Sequence, residues 1–220
     1  AVSLVLLALF YRSPRSAAAA GPVGVKPQFA GSELWLVSLA GMIWMFYNVA
    51  FLFIFSFAPL LLQEQGLSAA EAGTLASTAM WVSMLSVPLG GILAQRIGAP
   101  NLIMLVTFVI AGVTMLSLPH LSPSLLGFLV LGLIGGAPAG IIMSLPSEVL
   151  RAQSRGPGMG VFYTWFYGGM AVLPIVGGFA QDAAGSAAAP VLLGASLYFL
   201  IIGLLWAFRL AQRRAVALAA

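Results

Sequence analysis

The chain has 220 residues, 61% of them hydrophobic and 6% charged, with nine cations, five acids and one histidine for a net charge of +4. A water-soluble domain carries about 25% charged residues and could not hide this much apolar surface, so the sequence is that of an integral membrane protein. The cations lie in short segments flanking apolar runs and form no basic patch, which excludes a nucleic-acid partner, and the lack of cysteine excludes disulfide and thiol chemistry.

Residues 1–11 are apolar but shorter than the roughly 20 helical residues that cross a bilayer core. No basic segment precedes them, as one would in a signal peptide. They read as the tail of a truncated preceding transmembrane helix, so the chain looks like a fragment of a longer protein. Residues 12–33 contain Arg12, Arg15, Lys26 and three prolines, Pro14, Pro22 and Pro27. This is the composition of a cytoplasmic linker rather than of a continuous helix.

A first span is predicted over 34–62. Ser68-Ala69-Ala70-Glu71 then has the pattern of a capping box, in which hydroxyl and carboxylate each take the other residue's amide. It opens a second span over 72–94. The short hinge around Arg96 joins this to a third span over 101–118, making the two antiparallel neighbours. Further spans are predicted over 124–145, 158–180 and 190–208, with Glu148, Arg151 and Arg155 in the loop 146–157. A domain over 34–210 is followed by a tail over 211–220.

Six spans place their connections alternately on two sides. Arg12, Arg15, Lys26, Arg96, Arg151, Arg155, Arg209, Arg213 and Arg214 all fall on one side, and loops 63–71, 119–123 and 181–189 carry no cation. The positive-inside rule makes the cationic side cytoplasmic, along with the linker and the C-terminus. This describes a multi-pass protein of the cell membrane, of the bacterial inner-membrane kind.

The second span of each triplet ends alike. Pro88, Gly90-Gly91, Ala94-Gln95 and Arg96 are echoed, with a one-residue shift, by Pro174, Gly177-Gly178, Ala180-Gln181 and Asp182. Because three is odd, two such triplets have opposite topology, the arrangement of inverted repeats in transporters. The fold expected is therefore all-α: a six-transmembrane-helix bundle made of two inverted three-helix repeats.

The residues also resemble a known family, the major facilitator superfamily of transporters. Gly91, Arg96 and Gly98 are similar to its G-x-x-x-D-R-x-G-R-R motif, with Gln95 in place of the Asp and Ala99-Pro100 in place of the basic pair. Glu148 through Gly156 resembles the family's acidic-to-RG segment between helices ten and eleven, and Gly66 through Gly73 its loop into helix eight. The resemblance implies the C-terminal half of a twelve-helix fold: the end of helix six, the central loop, and helices seven to twelve. It also implies a secondary transporter working by alternating access, with a missing N-terminal six-helix half and a small polar or anionic solute as partners. A six-span binding or structural subunit is the alternative.

No Lys, Arg, Asp, Glu or His lies in the middle of a predicted span. If transport is proton-coupled, the titrating carboxylate belongs to the other half. No enzyme constellation, metal cluster or cofactor motif is found; the one histidine, His120, sits beside prolines in a loop. The polar content of the spans is aromatic and small. Trp44, Tyr47, Asn48, Phe51 and Phe55 share a face of the first span by their three- and four-residue spacing. Ser77 and Trp81 share one on the second, and Tyr163, Phe166, Tyr167 and Met170 one on the fifth. The family resemblance makes Trp44, Tyr47, Asn48, Trp81, Tyr163 and Tyr167 candidates for the substrate cavity, with Tyr47 and Asn48 bonding the solute.

Gly132, Gly136 and Gly140 form a small-residue row for close helix packing, and Pro138 predicts a kink. Spans three and six, mostly aliphatic, suit lipid-facing positions. Arg96, Glu148, Arg151 and Arg155 are candidates for a cytoplasmic gate, with Glu148 expected to pair with Arg96 or Arg155.

Overall fold

The computed structural model describes residues 29, 31–122 and 125–217. The expected helix tail 1–11 and most of the expected linker lie outside the described residues. Seven helices follow in order: α1 (Gly31–Glu64), α2 (Ala69–Ile97), α3 (Pro100–Ser117), α4 (Leu125–Gly136), α5 (Ala139–Val149), α6 (Arg155–Ala184) and α7 (Ala188–Ala217). α4 and α5 form one span, Leu125–Val149, giving six segments long and apolar enough to cross a membrane. Among the described residues there is no strand. Over the described residues the protein is an all-helical six-span bundle.

Local chemistry sets the helix ends. The capping box forms as read: the Glu71 amide donates to Ser68 Oγ at 3.3 Å, and the Ser68 amide donates to Glu71 Oε2 at 2.9 Å. α2 stops at Gly98 and α6 at Gly185, with φ of 67° and 64°. Glycine reaches this left-handed conformation without a Cβ penalty. Pro100 starts α3, where its missing amide costs nothing.

The span between α4 and α5 breaks at Ala137-Pro138, the kink that Pro138 predicts. Helices elsewhere run past the predicted ends, because polar residues prolong a helix beyond its apolar core. α1 takes in the last three residues of the expected linker, and α7 the first seven of the expected tail. α5 also continues through Pro146, which lacks only one amide. The Leu150 amide bonds Pro146 O at 3.0 Å and closes the helix beyond it.

α1 is the central helix, with 56% of its most apolar window buried. It packs on α7 and α6, α4 packs on α2 and α3, and α3 meets α7. Exchanging the triplets α1–α3 and α4–α7 leaves this pattern unchanged, since each first helix rests on the second and third helices of the other triplet. The glycine pairs obey the same exchange. A Cβ on Gly90 would meet Ala137 O at 2.1 Å and one on Gly177 would meet the Phe53 ring at 2.8 Å, whereas Gly91 and Gly178 face open space. The inverted repeat is thus visible in packing as well as in sequence.

The least buried spans are α6 and α2, at 11% and 28% of their most apolar windows, while α3 and α7 reach 39% and 44%. Within this unit the two aliphatic spans are therefore more buried than α2 and α6. α3 and α7 spend much of their apolar surface on each other, through contacts such as Phe108 with Tyr198 at 6.3 Å.

Polar contacts stitch each end of the bundle. At one end Gln65 Nε2 donates to Leu118 O at 3.0 Å, and the Glu64 carboxylate accepts from Ser186 Oγ and the Ala187 amide, both at 2.8 Å. At the other, Glu33 meets Arg151 and Glu148 meets Arg209. Alternate loops therefore gather at opposite ends, and all described cations belong to the second.

Candidate functional site

An aromatic wall runs along α1 and α6. Trp44 stacks on Tyr47 at 5.5 Å, Tyr47 on Phe51 at 6.4 Å, and Phe51 meets Phe55 edge-on at 5.0 Å. Trp44 also approaches Phe162 at 6.3 Å and Phe166 at 6.1 Å. Phe166 in turn meets Tyr167 at 4.9 Å, and Tyr163 lies 6.1 Å from Tyr167. Two faces that are separate in sequence thus join through Trp44. The hydroxyls of Tyr163, half-buried, and Tyr167, exposed, bond no other described residue.

The two residues expected to bond a solute differ. Tyr47 is buried, and its hydroxyl donates to Gly135 O at 2.5 Å. It ties α1 to α4 and spends its one donor there, leaving the hydroxyl oxygen with acceptor capacity only. Asn48 is half-buried and donates one amide hydrogen to Trp44 O at 2.7 Å. That bond leaves its carbonyl oxygen and second hydrogen. Trp81 is 70% exposed on α2 and has no ring contact with the wall among the described residues. The buried Trp44 Nε1 has no hydrogen-bond partner there.

The cationic end is arranged differently from the expected gate. Glu148 pairs with Arg209, not with Arg96 or Arg155, and accepts from Gln212 Nε2 at 3.2 Å. Arg209 also donates to Asn101 Oδ1 at 2.9 Å. The reason is topological: α5 and α7 end side by side, whereas Arg96 closes α2 and points into a groove between α2 and α3. Arg151 belongs to Glu33, through Nε–Oε1 at 2.9 Å and Nη2–Oε2 at 3.0 Å. Glu33 is 5% exposed and also accepts from the Arg151 amide at 3.0 Å and Ser154 Oγ at 2.9 Å. The carboxylate holds the Arg151 guanidinium proton more firmly than usual, by hydrogen bonding first and by charge second. Through Ser154, the N-cap residue of α6, it also places a negative charge at that helix's N-terminus.

The small residues divide by contact. A Cβ on Gly132 would lie 2.5 Å from Ala79 O, and one on Gly136 would lie 2.6 Å from Ser83 O. Ser86 Oγ donates to Leu133 O along the same seam. Gly140 faces open space, so the row ends at the Pro138 break rather than continuing past it.

The profile of the Major Facilitator Superfamily matches residues 34–219. The chain belongs to the major facilitator superfamily. A search of curated proteins found no match. The superfamily is one of membrane transporters and not of enzymes, so this is a multi-pass membrane transport protein acting on a small molecule. Within its motif-like hinge, Gly98 is required by its left-handed backbone, while Gly91 meets nothing within 4 Å. Glu33, Ser154, Arg209 and Asn101 are missing from the sequence-based candidates. A lone acid opening an apolar helix was the available signal for Glu33.

Proposed function

We propose that this six-span unit is the C-terminal half of a secondary transporter that moves a small polar solute by alternating access, in concert with a second six-helix half. The observation that carries the reading is the uncharged aromatic wall of α1 and α6, with Asn48 and the Tyr163 and Tyr167 hydroxyls as its polar tips. Rigid aromatic rings supply contact area, and a few polar groups fix orientation. The wall holds no cation, so an anionic solute takes its counter-charge from the other half, as does any proton-coupling carboxylate. The exposed faces of α2 and α6 support a second half packed against them. Arg155, at the start of α6 and paired with no described carboxylate, is a cation placed for contact with the second half. The positive-inside rule supports a cytoplasmic position for the arginine-bearing end.

The test uses the full-length protein. A thermal-shift screen of small metabolites and anions finds the solute, and uptake is then measured for Asn48→Ala. Loss of one solute hydrogen bond lowers affinity by about tenfold. Wild-type uptake with unchanged affinity removes Asn48 from the site, and a chain that binds partners but moves no solute favours a six-span structural subunit.

A further inference from the structure

A groove of about 600 Å³ opens on the side of the bundle between α2 and α3, with α4 as its floor. Leu89, Leu93 and Ile97 form one wall, Leu102 and Val106 the other, and Ile134 the base. α2 and α3 both rest on α4 but barely touch each other, which leaves the cleft. Its walls are open: Leu93, Ile97, Leu102 and Val106 are 46%, 54%, 54% and 44% exposed. Two hydroxyls line it, but both are spent, Ser86 on Leu133 O and Thr107 on Ile103 O at 2.8 Å.

The one charged group lining the groove is Arg96, in the last turn of α2 at the cationic end. No carboxylate lines the groove, and no described acid pairs with this guanidinium. From Arg96 to Ser86 the helix rises by roughly 15 Å. That is about half the thickness of a bilayer hydrocarbon core, the depth of one leaflet.

We propose that this groove is a binding site for an anionic glycerophospholipid of the leaflet at the arginine-bearing end, with one acyl chain along α2 and α3 and the phosphate on Arg96. The complementarity is specific: an apolar slot of leaflet depth, with one unpaired cation at the headgroup level. Basic pockets between transmembrane helices recognise acidic headgroups in this way. A flexible chain fills such a cleft without unsatisfied polar groups, whereas a polar solute leaves the walls uncompensated. The site is separate from the aromatic wall, and its test does not depend on transport.

The full-length protein is reconstituted in nanodiscs containing phosphatidylglycerol, or phosphatidylcholine alone. A phosphatidylglycerol with a photoreactive acyl chain is crosslinked and the labelled residues mapped. Labelling concentrates on α2 and α3 around Leu93 and Val106, and unlabelled phosphatidylglycerol displaces it about fivefold better than phosphatidylcholine, the discrimination of one arginine near a charged headgroup. Arg96→Gln abolishes that preference, and Val106→Trp, which fills the slot from an exposed position, abolishes labelling; circular dichroism confirms both folds. Label spread evenly over all helices overturns the proposal, as does equal displacement by both lipids. Because the chain has no cysteine, Val106→Cys gives an independent reading. Crosslinking of that thiol to a helix of the other half, or to a second copy, shows protein in the slot and also overturns it.

Discussion

Replacing single glycines along α4 and α5 by alanine separates close backbone packing from helix propensity. In Gly132→Ala the new methyl lies 2.5 Å from Ala79 O and 2.9 Å from Ala79 Cα, both backbone atoms that cannot rotate away. Ordinary contact begins near 3.4 Å. α4 must therefore retreat by roughly 1 Å, a gap that forfeits about a quarter to a half of the dispersion well for atoms along the seam. Overpacking of this kind costs about 1–3 kcal/mol. Gly140→Ala adds the same methyl where nothing lies within 4 Å, and gains up to about 1 kcal/mol from helix propensity. Gly135→Ala falls between, because the clash at 2.7 Å is with the edge of the Phe51 ring, which can turn. Reversible denaturant unfolding of the purified full-length protein in micelles, followed by helical circular dichroism, ranks the three. Equal stability of Gly132→Ala and Gly140→Ala would refute the claim that the α2–α4 seam is a backbone contact.

Tyr47→Phe and Tyr198→Phe remove one hydroxyl each from the core with opposite results. The first loses the bond to Gly135 O and destabilises by about 0.6–1.7 kcal/mol, while the second deletes a buried hydroxyl that has no partner among the described residues and is neutral or stabilising; the same unfolding assay reads both. Ser154→Ala removes one neutral donor from the buried Glu33 carboxylate and costs about 1.5–3 kcal/mol, and Glu33→Gln, which weakens every bond at that site, costs more. Exchanging Glu148 and Arg209 restores thermal stability lost in either Glu148→Arg or Arg209→Glu alone; absence of rescue by the double exchange shows that the two groups are not coupled.

The span count was legible because it rests on apolar length, and a bilayer demands length above all. The two-sided charge distribution was legible for the same reason, since it depends only on which loop holds a cation. Capping at Ser68 and Glu71, termination at Gly98 and the break at Pro138 are encoded within a few residues, and sequence shows them directly. Partner choice among loops is not local. Glu148 lies closer in sequence to Arg155 than to Arg209, yet the return of α7 beside α5 decides the pair. The Tyr47 hydroxyl shows the same limit from inside a span: its helical face was readable, but not that the Gly135 carbonyl, across the bundle, would accept its hydrogen bond. Gly140 kept the four-residue spacing of Gly132 and Gly136, but the helix changes direction between them, and spacing carries facing information only along a continuous helix.

Both carboxylate clasps at the cationic end lie within the six-helix unit. Glu33 binds the start of α1 to the α5–α6 loop, and Arg209 binds α7 to the end of α5. A latch that opens and closes during transport has to bridge bodies that move relative to one another. The Glu33 pair bridges α1 to the α5–α6 loop, where the packed seams of α1 with α5 and α6 would have to break for it to part. Glu33 in particular is buried and accepts from four donors on one loop, and removing such a group from its partners costs several kcal/mol. The clasps therefore hold the unit together as one piece, which the proposed rocking of one bundle against another requires. In that proposal, motion falls to surfaces without internal partners, namely the open faces of α2 and α6.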